Sequence, residues 1–233
     1  MTTDNLVKGK VLLFDKPLEW TSFQVVNKVR WLLKRKFKLK KIKVGHAGTL
    51  DPLATGLLVI CIGKETKNIH HYQAAEKEYT GTITLGATTP SYDLETAIDQ
   101  TFDYSNITEQ KIQAVKQQFI GIIDQKPPLF SAVKKSGVRL YEHARKGETV
   151  EIESRKVCVF EFEITKIQLP HLDFRVRCSK GTYIRSLAHD FGQALQNGAY
   201  LSALRRTKIG DLSVEDAYSP ESFEAFIQAL EIP

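Results

Sequence analysis

Val44-Gly45-His46-Ala47-Gly48-Thr49-Leu50-Asp51-Pro52-Leu53-Ala54-Thr55-Gly56-Leu57-Leu58-Val59-Ile60-Cys61-Ile62-Gly63 reads as a glycine-hinged loop that delivers one carboxylate, followed by a strand. Pro52 disfavours the α region for the residue before it, so Asp51 belongs to an extended or turn conformation and not to a helix interior. Leu57 to Ile62 is short, apolar, partly β-branched and closed by Gly63, the pattern of a strand buried on both faces. Asp51 therefore stands beside a core. Flanked by Leu50 and Leu53, such an acid can be made reactive by its apolar surroundings. The plainer reading is that Asp-Pro holds a turn, and on this stretch alone it is the stronger one.

Outward from this stretch, the 233 residues are 42% apolar, enough to bury a sizeable core as one large domain or one domain with a lobe. No apolar run is long enough to cross a bilayer, and Val11-Leu12-Leu13-Phe14 is too short for the apolar region of a signal peptide. Cys61, Cys158 and Cys178 are odd in number, far apart and without CxxC spacing, so they read as buried reduced thiols and a cytoplasmic protein is expected. His46, His70, His71, His143, His171 and His189 form no metal-ligand pattern, and no metal is expected.

The net charge of +6 is unevenly spread. From Trp20 to Leu50 there is no Asp or Glu, yet Lys28, Arg30, Lys34, Arg35, Lys36, Lys38, Lys40, Lys41 and Lys43 all fall there. That is the footprint of a polyanion-binding surface, with nucleic acid the leading partner. A lysine-rich helix end serving solubility is the alternative.

Lys10 to Asp15 reads as an opening strand, and Thr21 with Gln24 as the capping box of a helix whose apolar face is Val25, Val26, Val29, Leu32 and Leu33. Lys64 to Gln73 follows as a short helix. Tyr79 to Leu85 alternates as a strand, with Tyr79, Ile83 and Leu85 inward and Thr80, Thr82 and Thr84 outward. Pro90 to Ser105 reads as a polar loop. Thr108 then caps a helix stapled by Ile107 and Ile112 and ended by Gly121. Lys126 to Gly147 mixes Phe130, Tyr141, His143 and basic residues without a period, which suits a protruding lobe that tracks RNA, or equally a surface excursion packed on the core. Val157 to Ile167 and Leu172 to Cys178 alternate as strands. Thr182 is the expected N-cap of a helix carrying Ile184, Leu187, Ala188, Phe191 and Leu195, which puts Arg185 in its first turn. The helix dipole disfavours a cation there by a few tenths of a kcal/mol, so Arg185 suggests an anionic partner, a phosphate or a carboxylate such as Asp51. Leu201 to Arg206 continues that region, Thr207 to Ser213 reads as a strand, and Ser219-Pro220 opens a last helix with Phe223, Phe226, Ile227 and Leu230.

Gly45 to Leu58 closely resembles the catalytic motif of the TruB family of pseudouridine synthases, which modify uridine 55 in the T loop of tRNA. Further stretches match in the same order: Asp15-Lys16-Pro17 with Thr21-Ser22, Lys77-Glu78-Tyr79, Cys178 to Arg185, and Leu204-Arg205-Arg206. The resemblance spans nearly the whole chain. It implies an α+β fold, a mixed, mostly antiparallel central sheet with flanking helices, formed as a single catalytic domain over residues 1–233 with an RNA-gripping thumb at about 125–151. It implies Asp51 as nucleophile, Tyr79 stacked on the flipped base and a candidate to take the C5 proton, Arg185 paired with Asp51, and Tyr183 and Leu204 lining the pocket. His46 would contact the extruded loop, and Lys16 joins it among the substrate-binding residues. Lys38, Lys40, Lys41 and Lys43 would form an RNA-binding surface. No cofactor is needed, and a monomer acting on the T arm of tRNA is expected.

Glu19 stands where family members usually carry glycine in a Lys-Pro-x-Gly turn, and Pro90 where many bacterial members carry aspartate. The C-terminal PUA domain of many members is also missing, from which a weaker RNA grip, resting more on the basic window, is expected. Two other classes compete with this reading. A non-catalytic RNA-binding protein of the same fold is the main rival, and a carboxylate hydrolase lacks the second acid that glycosidases need.

Overall fold

A computed structural model of the chain describes residues 8–231 apart from 132, 136, 147 and 149. In chain order the elements are β1 (Gly9–Lys16), α1 (Ser22–Lys36), β2 (Val44–His46), β3 (Ala54–Gly63), α2 (Ile69–Ala74), β4 (Lys77–Leu85), β5 (Ala87–Thr88), β6 (Gln100–Thr101), α3 (Glu109–Lys116) and β7 (Gly121–Gln125). There follow β8 (Lys134–Lys135), β9 (Val138–Arg139), α4 (Leu140–Arg145), β10 (Arg155–Gln168), β11 (His171–Cys178), α5 (Ile184–Ala194), β12 (Ala199–Ile209), β13 (Leu212–Ser213) and α6 (Pro220–Ala229). The chain forms two compact units, residues 1–79 with 205–233, and residues 80–204.

The first unit is built on β3, in the strand order β1-β3-β12. β1 and β2 both pair with β3 antiparallel, Phe14 facing Leu58 and His46 facing Ile60. Strand alternation then splits the apolar run between two clusters. Leu58, Ile60 and Ile62 pack with Val25, Val29 and Leu33 of α1 and Phe223 of α6, whereas Leu57, Val59 and Cys61 pack with Ala47, Ile209 and Val214. Each fully buried Leu or Ile contributes roughly 1.5–3 kcal/mol, so β3 has no face to lend to solvent. The capping box of α1 forms as its sequence dictates, Gln24 N–H donating to Thr21 Oγ1 at 3.1 Å and Thr21 N–H to Gln24 Oε1 at 2.6 Å.

The second unit runs β12-β4-β11-β10-β7. β10 pairs antiparallel with both β11 and β7, and α5 lays Phe191 against Phe162 and Phe119, with ring centroids 5.7 Å apart in each pair. The mixed, mostly antiparallel sheet with flanking helices is the fold class expected. Lys134–Lys135 and Val138–Arg139 form their own two-stranded sheet ahead of α4.

Four local readings are refined. The outward face of β4 is only partly solvated: Thr84 is buried with its hydroxyl on Ser202 and His171, and half-buried Thr82 donates to Asp173, because the neighbouring strands carry polar partners on that face. The segment from Pro90 to Ser105 is a mostly exposed loop, as read, but it tucks Ser91 and Asp93 out of solvent and pairs Gln100–Thr101 with β5. Helix α5 begins one residue late: Tyr183 is the N-cap, and Thr182 instead turns its hydroxyl back onto the Ser179 carbonyl at 3.0 Å. Finally, Leu201–Arg206 and Thr207 belong to one strand, β12, which only ends at Ile209.

Candidate active site

Asp51 lies half-buried between residues whose backbones are pinned on both sides. The buried hydroxyl of Ser22, at the start of α1, donates to the Leu50 carbonyl at 3.0 Å and accepts the Leu50 N–H at 2.8 Å. On the other side, the Pro52 carbonyl accepts the Glu19 N–H at 2.9 Å and the Lys16 ammonium at 3.3 Å. Asp51's own carbonyl closes the turn by accepting the Ala54 N–H at 3.1 Å.

Lys16 is 0% exposed, and its ammonium also donates to the carbonyls of Pro17 and Trp20 at 2.8 and 2.6 Å. Burial pushes its pKa down to about 8, against the pull of the Asp51 charge, while Arg206 pushes it further down. Lys16 thus sits beneath the Asp51 turn as an internal tie. Glu19 answers the question posed by the missing glycine. Its φ is +64°, the left-handed region glycine would adopt freely, so the turn keeps its geometry at a cost in strain.

Arg206 is 2% exposed and donates to the Leu57 carbonyl at 2.7 Å and the Gly48 carbonyl at 3.1 Å. One guanidinium therefore joins the two ends of the loop that carries Asp51. Gly56 belongs to the same joint: with φ of +101°, a Cβ there would lie 2.3 Å from the Arg206 carbonyl oxygen, so only glycine fits. His46 on β2 is half-buried, and its pKa is held below the ordinary histidine value chiefly by burial, opposed by a backbone hydrogen bond at Gly48 and assisted by the Arg206 charge. Tyr79 is buried near the start of β4, next to Glu78, whose carboxylate accepts from Thr207 at 2.8 Å.

In the second unit Arg185 is 4% exposed in the first turn of α5. Its Nε lies 3.6 Å from the buried Asp93 carboxylate, and its Nη1 and Nη2 donate to the carbonyls of Ser91 and Phe130 at 3.1 and 2.9 Å. An anionic partner for this cation was expected, and Asp93 is one. Tyr183 is held by Gln125, which accepts its N–H at 2.8 Å and donates to its carbonyl at 3.1 Å, and Arg155 lies 4.8 Å over its ring. Residues 125–130 are thereby fastened to the start of α5. Leu204 is half-buried near the end of this unit's share of β12.

Lys38, Lys40, Lys41 and Lys43 are exposed, while Leu39 and Ile42 between them are half-buried. Among the described residues no three His, Cys, Asp or Glu side chains gather as a metal-binding group.

Residues 34–184 match the family model described as TruB family pseudouridylate synthase, N-terminal domain. The chain belongs to the TruB family. Residues 185–231 match a second family model, the tRNA pseudouridylate synthase B C-terminal domain, so the division between the two TruB models falls directly before Arg185. A relative from Flavobacterium johnsoniae named tRNA pseudouridine synthase B is 63% identical over 98% of this chain and 100% of its own length. One of the same name from Phocaeicola vulgatus is 54% identical over 98% of this chain and 97% of its own. Among solved structures, a chain of a Cbf5-Nop10-Gar1 complex is 31% identical with a TM-score of 0.69 over 94% of this chain. This chain spans 54% of that longer one.

Reading the TruB chain by sequence alone misses Asp93, Arg206 and Gln125. Asp93 lies in a polar stretch whose burial no periodicity announces. Arg206 follows another arginine, and nothing local says that Arg205 pairs with Asp15 at 2.7 Å, part-exposed, while its neighbour turns into the core.

Proposed function

We propose that this chain isomerises uridine 55 in the T loop of tRNA to pseudouridine, with Asp51 as the nucleophile. The observation that carries the reading is the loop around Asp51, matched in sequence to the TruB motif and tied by Ser22, Lys16, Glu19 and Arg206 within its own unit. The tRNA substrate is supported by the names of relatives up to 63% identical.

A tied loop suits covalent catalysis because its carboxylate meets the substrate without first being ordered. The uridine is flipped from the RNA at a cost of a few kcal/mol, met by stacking on Tyr79 and by phosphate contacts of the basic surface. Asp51 attacks C1′ or C6 of the nucleoside. The bond from C1′ to N1 breaks, the uracil turns while still held, and C5 joins C1′. The C5 proton is lost, with Tyr79 as the candidate base, and N1 gains a proton, so the product is an isomer of the substrate. The TruB motif match gives Arg185 the role of the positive charge that keeps Asp51 ionised in the substrate pocket. Tyr183 and Leu204 line that pocket, and His46 contacts the extruded loop as a neutral imidazole.

The test is to map modified uridines in tRNA from cells with and without this protein. Loss of pseudouridine at position 55 alone is expected. Retention of that pseudouridine would overturn the assignment.

A further inference from the structure

Helix α1 buries Val25, Val26, Val29, Leu32 and Leu33, and turns the opposite face to solvent. That face is unusual for an ordinary solvated helix because it exposes two aromatic rings, Phe23 at 60% and Trp31 at 48%. Each ring is accompanied by cations. Arg30 lies 5.9 Å from the Phe23 centroid, and Arg35 and Lys28 lie 5.1 and 5.6 Å from that of Trp31. A groove of about 330 Å³ opens beside Trp31, with Arg35 and Lys36 on its wall. Glu224 takes up the charge of Lys28, but Lys34 and Arg35 remain exposed, in a stretch from Thr21 to Leu50 that contains no acid.

We propose that this outward face of α1 is a second RNA-binding surface, gripping a part of the tRNA outside the T arm. The inference rests on the tRNA reading above. Cations set on aromatic faces combine phosphate neutralisation with platforms for bases and ribose, the pairing by which proteins hold RNA without reading its sequence. Glu224 of α6 also lines the groove beside Trp31, but Lys34 and Arg35 leave the face a positive excess complementary to a nucleic acid backbone. The helix is roughly 22 Å long at 1.5 Å per residue, enough to follow several nucleotides.

Equilibrium binding to full-length tRNA and to an isolated T-arm stem-loop tests this, with pseudouridine formation on the stem-loop followed separately. The Phe23→Ala/Trp31→Ala variant is expected to bind full-length tRNA on the order of tenfold more weakly and the stem-loop unchanged. Lys34→Gln/Arg35→Gln, which removes two exposed charges, one of them over the Trp31 ring, is expected to lower the salt slope on full-length tRNA by about one to two. Unchanged binding of full-length tRNA by both variants would overturn the proposal. Equal losses on both RNAs would overturn it as well, by placing the face on the T arm. Failure of the wild-type protein to form pseudouridine in the stem-loop would count against the catalytic reading and leave these binding differences to decide the surface.

Discussion

Arg206 donates through Nε to the Leu57 carbonyl at 2.7 Å and through Nη2 to the Gly48 carbonyl at 3.1 Å, closing the Asp51 loop from inside the core. Lysine carries a point charge and cannot span two carbonyls with a planar fork. Arg206→Lys is expected to lower kcat on the order of 10²-fold, the usual cost of a displaced catalytic group, with little change in KM. Steady-state kinetics on tRNA separate the cases, and a raised KM at unchanged kcat would mean that Arg206 serves RNA binding instead.

Glu19 at φ of +64° holds a conformation that costs a side-chain-bearing residue roughly 1–2 kcal/mol. Glycine relieves the strain but loses more chain entropy, so Glu19→Gly is expected to be stabilising by about 1 kcal/mol or less. Urea unfolding measures this. Glu19→Val, branched at Cβ, should destabilise, and a neutral result for both would show that the turn carries no strain.

Lys16 has a folded-state pKa of about 8, below its unfolded value near 10.4. Between those values the unfolded chain binds more protons, so stability rises with pH across the window as the buried charge is relieved, and falls again as pH drops through 8. Relative to Lys16→Met, which cannot titrate, wild-type stability should therefore improve from pH 7.5 to pH 10. A constant difference would mean that the carbonyls of Pro17, Trp20 and Pro52 offset the burial in full.

Arg185 is buried with Asp93 and two carbonyls and is proposed to serve the reaction, not the grip on RNA. Arg185→Ala should lose turnover far more than tRNA affinity. Comparable losses in both would assign it to phosphate binding.

What could be read from the sequence followed from period and spacing. The β3 run, its two buried faces, the α1 capping box and the apolar face of α1 are local patterns, and the structure carries all of them. What could not be read depends on long-range partners. Ser22 meets Leu50 across 28 positions, Arg206 meets Leu57 across 149, and Arg185 meets the Ser91 carbonyl across 94. The Thr182 cap fails for a local reason instead, since its hydroxyl donates to the Ser179 carbonyl three positions back. Motif resemblance placed Asp51 among candidate nucleophiles, but only the folded chain shows how its loop is held.

The most direct test of the central claim is tritium release from tRNA carrying uridine labelled at C5, comparing wild type with Asp51→Asn. The account predicts release by the wild type and none above background by Asp51→Asn, with tRNA affinity kept. Release by Asp51→Asn at the wild-type rate, or none by either protein, would contradict it.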